Sequence, residues 1–231
     1  GGLNVRANQA LTDIPRENFV PEEYLSLVFA DIEVPLVSGA KMFSPKIEGR
    51  ILDSLDIQGH ETVLEIGTGS GYFTSVLAKL SQSVTTIELD EQLSELAQNK
   101  VNELNLNNIT FINDDALTYN LENEQYDTIV IGCALPNKNE NFFRLLKPGG
   151  KLFMVVGRIN QMQATLVQRT SENEWKSKSL FETHLDYMKG TEPSVKFAFQ
   201  ANLFDMLNFF FNLLIKKPAW SLFFLLIVIV T

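Results

Sequence analysis

Val63-Leu64-Glu65-Ile66-Gly67-Thr68-Gly69-Ser70-Gly71-Tyr72 decides the fold. Thr62 to Ile66 reads as a short buried strand, an apolar-rich run that ends at a glycine turn. Gly67, Gly69 and Gly71 then allow a tight turn and a close approach of ligand to backbone. Tyr72 to Leu80 follows with Phe73, Val76, Leu77 and Leu80 on one helical face. Strand, glycine turn and helix in that order are shared by proteins that bind nucleotide-like ligands.

The alternation continues downstream. Ser83 to Glu88 reads as a second strand, and Glu91 to Leu104 as a helix with Leu93, Leu96, Ala97, Val101 and Leu104 apolar. Asn107-Asn108 is a turn before a third strand, Ile109 to Ile112; a fourth runs from Tyr126 to Gly132. Phe142 to Leu146 ends a helix at the turn Lys147-Pro148-Gly149-Gly150, and Lys151 to Val156 is a fifth strand. This predicts an α/β fold of Rossmann-like form, a doubly wound and mostly parallel sheet with helices on both faces. Ligands in such sheets bind beyond the carboxyl ends of the strands, where strand order reverses. Upstream, Asp13 to Pro21 punctuates an N-terminal cap, Tyr24 to Phe29 reads as helical, and Ser44-Pro45-Lys46 starts a helix with Ile47, Ile51 and Leu55 on one face. Gln163 to Arg169 and Trp175 to Phe181 read as late strands.

The 231 residues suffice for one α/β domain with a sizeable core. A net charge of -9 and the lack of any dense basic run argue against a nucleic-acid partner. The single cysteine, Cys133, forms no intrachain disulfide and suits a reducing compartment, so a cytoplasmic location is expected. Cys133, His60 and His184 are too widely spaced for a zinc pattern, so no metal is predicted. The chain starts Gly1-Gly2-Leu3, so a missing signal peptide says little.

Composition changes abruptly near Phe199. We read 1–199 as the domain, with 1–45 as N-terminal cap and substrate loop, and 200–231 as a separate hydrophobic tail. Leu203 to Ile215 and Ala219 to Val230 each fall short of the ~20 apolar residues that span a bilayer, and Lys216-Lys217-Pro218 separates them. A membrane-surface helix, a cut-off membrane segment and a non-native extension all fit. Membrane contact is expected only through 203–231.

Acidic residues identify the ligand. Glu65 stands two positions before the first glycine, where a carboxylate would repel a pyrophosphate but suit the ammonium and sulfonium of S-adenosylmethionine. This disfavours an NAD-dependent oxidoreductase. Glu88 ends the second strand, where the topology places the acid that accepts both ribose hydroxyls. Asp115, in Asp114-Asp115-Ala116 after the third strand, can meet an adenine amino group; Asp114 could serve instead, or both could cap the next turn. The predicted cofactor site is therefore Glu65, Gly67, Thr68, Gly69, Ser70, Gly71, Glu88, Asp115 and Ala116.

The glycine motif resembles the first motif of protein-L-isoaspartate O-methyltransferases. The resemblance runs through Tyr126-Asp127-Thr128-Ile129-Val130, Leu145-Leu146-Lys147-Pro148-Gly149-Gly150-Lys151-Leu152 and Val155-Val156-Gly157, over roughly residues 11 to 199. Ile32-Glu33-Val34-Pro35-Leu36 and Ser44-Pro45-Lys46 single out this family among methyltransferases, and Leu180-Phe181-Glu182-Thr183 and Val195-Lys196-Phe197-Ala198-Phe199 resemble a bacterial branch. The resemblance implies a class I methyltransferase fold, S-adenosyl-L-methionine as cofactor, and methyl transfer to an isoaspartyl carboxylate in protein repair. The partner would be a peptide or protein carboxylate. An acceptor already ionised at neutral pH needs alignment and exclusion of water rather than a strong base.

One departure concerns the acceptor. Many members carry Thr and Ser before the proline matching Pro45, lining the substrate pocket; here those positions are Lys41 and Phe43, and Ser44 falls one place late. Lys41, Phe43 and Ser44 are the substrate-loop candidates. Lys41 could attract a carboxylate or be an isolated surface lysine. Cys133 reads as a small packing residue rather than a nucleophile. A methyltransferase for another acceptor and a catalytically inactive cofactor-binding module are the alternatives.

Overall fold

In the computed structural model the described residues are 4–121 and 124–193. Their elements, in chain order, are α1 (Val5–Asp13), β1 (Val34–Pro35), β2 (Lys41–Met42), α2 (Pro45–Leu55), β3 (Thr62–Ile66), α3 (Tyr72–Leu80), β4 (Ser83–Glu88), α4 (Glu91–Asn102), β5 (Ile109–Asn113), β6 (Tyr126–Leu135), α5 (Glu140–Arg144), β7 (Leu146–Val156), β8 (Gln163–Ser171) and β9 (Glu174–Glu182), with 3-10 turns at Arg16–Asn18, Glu22–Leu27 and Val37–Gly39. Gly1–Glu192 forms one compact unit. The hydrophobic tail 200–231 and the branch-like ending 195–199 lie outside the described residues.

Seven strands form one sheet in the order β5-β4-β3-β6-β7-β8-β9. β5, β4, β3, β6 and β7 are parallel; β8 and β9 add an antiparallel edge. From β3 the chain moves outward through β4 to β5, then crosses back to place β6 on the other side of β3. Strand order therefore reverses between β3 and β6, which opens a crevice at their carboxyl ends.

β3, β6 and the second half of β7 are buried on both faces, and their apolar residues divide by parity. Val63, Val84, Val130 and Phe153 join one core, beneath Ala7 and Ala10 of α1, Ile51, Leu52 and Leu55 of α2, and Phe73, Val76 and Leu77 of α3. Leu64, Ile87, Ile129 and Leu152 join the other, with Phe142 of α5, Leu121 and Met188. Helices thus cover both faces unevenly: α1 to α4 pack on one, and the five-residue α5 with loops on the other.

Two local readings change, and one helix is new. The turn Lys147-Pro148-Gly149-Gly150 lies inside the limits of β7: Tyr126 pairs with Leu146, then Thr128 pairs with Lys151, and the tetrapeptide bulges between. Gly149 takes φ +89, Pro148 has no N–H for the ladder, and a Cβ at Gly150 would sit 2.8 Å from the Asp127 carbonyl oxygen. The segment expected helical at Tyr24 to Phe29 is a 3-10 turn over Glu22–Leu27. α1 is the new one; its buried stripe is only Ala7 and Ala10, too slight for periodicity to reveal. Asn4 caps it by accepting the Ala7 N–H at 2.7 Å.

Candidate functional site

The pairing of β3 with β6 ends at Ile66 opposite Ile131, and the chains diverge at Gly67 and Gly132, β6 running on beside β7 to Leu135. Gly132 must lack a side chain: a Cβ there would lie 3.0 Å from the Ile66 carbonyl oxygen. Gly71, at φ +83, starts α3 against α4, where a Cβ would stand 3.1 Å from both Ala97 Cβ and Val101 Cγ2. The third glycine of the motif is therefore a packing residue, and it borders neither cavity described below.

A cavity of about 220 Å³ opens at the divergence. Its floor is Gly67 and Gly69; one wall is the end of β4 (Glu88, Leu89, Asp90), another the turn after β5 (Asp114, Asp115, Ala116), a third Gly132 and Cys133. The loop Ser38 to Lys41 with Phe43, and the segment Leu185 to Lys189, complete the mouth. Glu33, Glu88, Asp90, Asp114, Asp115 and Asp186 supply carboxylates against two ammonium groups, Lys41 and Lys189. The field at this site is negative, and it suits a cation.

Glu88 is the best-fixed acid. It is buried, and its Oε2 accepts the Gly69 N–H while Oε1 accepts the Asp90 N–H, each at 3.0 Å. Those two amides aim the carboxylate across the cavity floor, and each oxygen keeps accepting capacity for a hydroxyl. Asp90 in turn caps α4 through the Leu93 N–H at 3.0 Å. That bond and the hydroxyl of Ser38 hold its carboxyl below its ordinary value, so Ser38, at φ +59, ties the mouth loop to the wall at the end of β4. Asp115 borders the cavity and also caps its own turn, accepting the Leu117 N–H at 2.9 Å; Asp114 accepts the Asp115 N–H at 2.7 Å.

Glu65 requires a correction. It does not border the main cavity. It is buried behind the loop, and its Oε2 accepts hydrogen bonds from Thr74 Oγ1 at 2.5 Å and Thr86 Oγ1 at 2.7 Å. Burial pushes its carboxyl up to about 8. At neutral pH it is mostly protonated, so it cannot repel a pyrophosphate as a full charge would; the carboxylates that border the main cavity are those of Glu33, Glu88, Asp90, Asp114, Asp115 and Asp186. Glu65, Thr68 and Ser70 border a second cavity of about 40 Å³, together with Phe43 and Glu48. Gly67, Gly69, Lys41, Phe43 and Gly132 border both.

The substrate-loop candidates separate. Lys41 Nζ lies 2.8 Å from Asp186 Oδ2 and 3.7 Å from Glu33 Oε2, so it is not an isolated surface lysine. The hydrogen bond to Asp186 raises its pKa, and burial raises that of Glu33. Phe43 stands edge-on to Phe73 with centroids 5.7 Å apart. Ser44 is the buried N-cap of α2 and lines neither cavity. Cys133 faces the main cavity, but burial, with help from Glu88, pushes its thiol up to about 12. It stays protonated at neutral pH and packs.

Two parts of the site carry no signal in the sequence. Arg16 and Glu48, 32 positions apart, form a buried ion pair: one guanidinium nitrogen reaches both carboxylate oxygens at 2.5 and 2.6 Å, another donates to the Phe43 carbonyl at 2.7 Å, and Nε donates to the Val28 carbonyl at 2.9 Å. Burial pushes Glu48 up to about 7 while Arg16 draws it down. This bracket fixes the backbone at Phe43. The wall Leu185 to Lys189 hangs on β6: Ala134 N–H donates to the Asp186 carbonyl, and Met188 N–H to the Ala134 carbonyl, both at 2.9 Å. Only long-range pairing brings these residues to the site.

Among the described residues no group of three or more His, Cys, Asp or Glu is placed to hold a metal ion, and no helix is long and apolar enough to cross a membrane.

The chain is similar to known proteins. The family model for protein-L-isoaspartate(D-aspartate) O-methyltransferase matches residues 3–189. The chain is 38% identical over 149 residues to a protein-L-isoaspartate O-methyltransferase of Dictyoglomus thermophilum, covering 64% of this chain and 67% of that protein. It is 32% identical over 188 residues to one of Rhodopseudomonas palustris, covering 81% and 86%. The crystal structure of a Plasmodium falciparum protein described under the same enzyme name, in complex with S-adenosyl-L-homocysteine, superposes with a TM-score of 0.72 over 80% of this chain and 91% of that one; at 18% identity this likeness is one of fold.

Proposed function

Because the chain belongs to the protein-L-isoaspartate(D-aspartate) O-methyltransferase family, we propose that it is an S-adenosylmethionine-dependent O-methyltransferase that esterifies isoaspartyl carboxylates of peptides or proteins, a repair reaction. The observation that carries the reading is Glu88, aimed by the amides of Gly69 and Asp90 across the floor of a carboxylate-lined cleft at the reversal of strand order.

The residues fit the cofactor. Glu88 would accept its ribose hydroxyls, Asp115 and Ala116 would border its adenine, and Gly67 to Ser70 with Gly132 would leave room for its amino-acid end. Glu65 would contribute through the smaller cavity, as a hydrogen-bonding group rather than a fixed charge. When bound, S-adenosylmethionine supplies an electrophilic methyl group on a sulfonium. The chain's own contribution is alignment and desolvation: Phe43, fixed by Arg16 and packed on Phe73, presents an apolar wall where acceptor and donor would meet. No protein base is needed, since the acceptor is ionised near neutral pH. Cys133 takes no part as a nucleophile. The acid-lined mouth disfavours nucleic acid. We place the reaction in the cytoplasm, which the free thiol of Cys133 suits.

Phe43 favours a second reading, a methyltransferase for another acceptor, because an aromatic ring replaces a hydroxyl that the family resemblance implies. Incubation of the protein with an isoaspartyl peptide and methyl-labelled S-adenosylmethionine decides between them. The expected result is label released as methanol by mild base, the mark of a methyl ester. Cofactor binding by calorimetry without any base-labile product would overturn the isoaspartyl reading in favour of another acceptor or an inactive cofactor-binding module. Binding of NAD in place of S-adenosylmethionine would overturn both.

A further inference from the structure

We propose that Lys41 recognises the acceptor's carboxylate, and that Asp186 holds the same ammonium when no acceptor is present, so that acceptor binding exchanges one carboxylate for another. The proposal rests on the carboxyl-methylation reading above and adds to it the recognition group.

The mouth of the cavity is hostile to an anion. Glu33, Asp90, Asp114, Asp115 and Asp186 all border it, and Lys41 and Lys189 are the lysines among its lining residues. Of these two, Lys41 alone also borders the smaller cavity beside Phe43 and the glycine loop. A carboxylate that approaches the methyl donor's sulfonium must pass this acidic rim, and Lys41 is the lysine placed between the rim and the glycine loop to offset the repulsion. Phe43 offers no hydrogen bond in compensation.

The pair Lys41–Asp186 is built to exchange. Its contact is short, 2.8 Å, but the side chains are 38% and 58% exposed, so both ions keep water and the pair is weak. The main chain at Asp186 is firmly held: its carbonyl accepts from Ala134 N–H at 2.9 Å, and Tyr187 pairs with Ala134 and donates its hydroxyl to the Gly157 carbonyl at 2.8 Å. The side chain can swing away while the backbone keeps its place. Glu33, 3.7 Å from Nζ, holds the ammonium at the mouth during the exchange.

The exchange has a consequence for turnover. An ammonium on one carboxylate oxygen leaves the other for attack. A carboxylate oxygen–carbon bond forms, the carbon–sulfur bond breaks with its electron pair going to sulfur, and Lys41 keeps its proton throughout. The ester is neutral and no longer competes for Lys41, so Asp186 returns and displaces the product.

The test uses the full chain, an isoaspartyl peptide and saturating S-adenosylmethionine, with the same peptide titrated by calorimetry in the presence of S-adenosylhomocysteine. Lys41→Met is expected to raise the peptide KM and Kd about tenfold, the effect of one lost charge-assisted hydrogen bond, with an unchanged circular dichroism spectrum and Tm as the control for folding. Lys41→Arg is expected to restore most of the loss. Asp186→Asn is expected to lower KM several-fold, and that gain is expected to vanish when Lys41→Met is also present. Methyl-ester formation with a KM indifferent to Lys41, or an Asp186→Asn gain that survives Lys41→Met, overturns this inference and leaves the methylation reading standing. Lys41-dependent peptide binding without turnover overturns the methylation reading alone; no peptide binding at all overturns both.

Discussion

Glu65→Gln tests whether the acid before the glycine loop is neutral in the folded protein. The amide keeps the shape, and its oxygen accepts the same two hydroxyls, Thr74 and Thr86. In the native protein burial raises the Glu65 carboxyl from 4.5 to about 8. Between those values the folded state holds a proton that the unfolded state has lost, so stability falls as pH rises, by about 1.4 kcal/mol per pH unit at most. The full window corresponds to a loss on the order of 3–5 kcal/mol, complete above the folded value and absent below the unfolded one. The glutamine variant lacks this dependence. Urea unfolding followed by circular dichroism at pH 4, 6, 7.5 and 9 is expected to show the two proteins nearly equal at the lowest pH, with the variant ahead by a few kcal/mol at the highest. Glu48, raised for the same reason, is present in both proteins and cancels to first order in the difference. A difference that stays flat with pH would falsify the reasoning, and one that favours the wild type increasingly as pH rises would mean that Glu65 is ionised in the native fold.

Other perturbations reach the remaining parts of the site. Glu88→Ala is expected to weaken S-adenosylmethionine binding by about 1–3 kcal/mol through lost charge-assisted hydrogen bonds; calorimetry that returns wild-type affinity would move the ribose elsewhere. Gly71→Ala is expected to destabilise folding by about 2–4 kcal/mol, from strain at positive φ and from crowding against Ala97 and Val101, whereas Gly39→Ala, with the same sign of φ and open space, should cost only the strain. Arg16→Met leaves Glu48 buried without its cation and is expected to cost about 3–5 kcal/mol at pH 8. That loss should shrink at pH 5, where protonation of Glu48 relieves it, and an equal loss at both would show that packing alone is at stake. Iodoacetamide is expected to label Cys133 far more slowly than a free peptide thiol at pH 8, since its thiol is held up to about 12.

The difference between Glu65 and Glu88 bears on how such sites choose ligands. Both are acids in one small region, and in sequence both look like charges aimed at a cofactor. Glu65 lies on a strand buried on both faces and meets only hydroxyls, so its charge is suppressed. Glu88 ends its strand where backbone amides of the loop and of the α4 approach are available, so its carboxylate is bound and oriented. On the function proposed above, selection of a cationic methyl donor would rest on the acids at strand ends, with Glu65 as a polar support beneath the loop.

Local sequence contained the alternation of strands and helices, because apolar periodicity and glycine turns are imposed by elements whose burial depends mainly on their own residues. It also contained the glycine loop and the strand-end acid Glu88, since a parallel sheet puts each strand's carboxyl end on the same edge. The neutral state of Glu65, the withdrawal of Ser44 into a helix cap, the Arg16–Glu48 bracket behind Phe43 and the seating of Lys41 against Asp186 were decided only in three dimensions. Each depends on which groups from distant parts of the chain arrive beside it and on how much water they leave, and neither quantity is a property of a residue's neighbours in sequence.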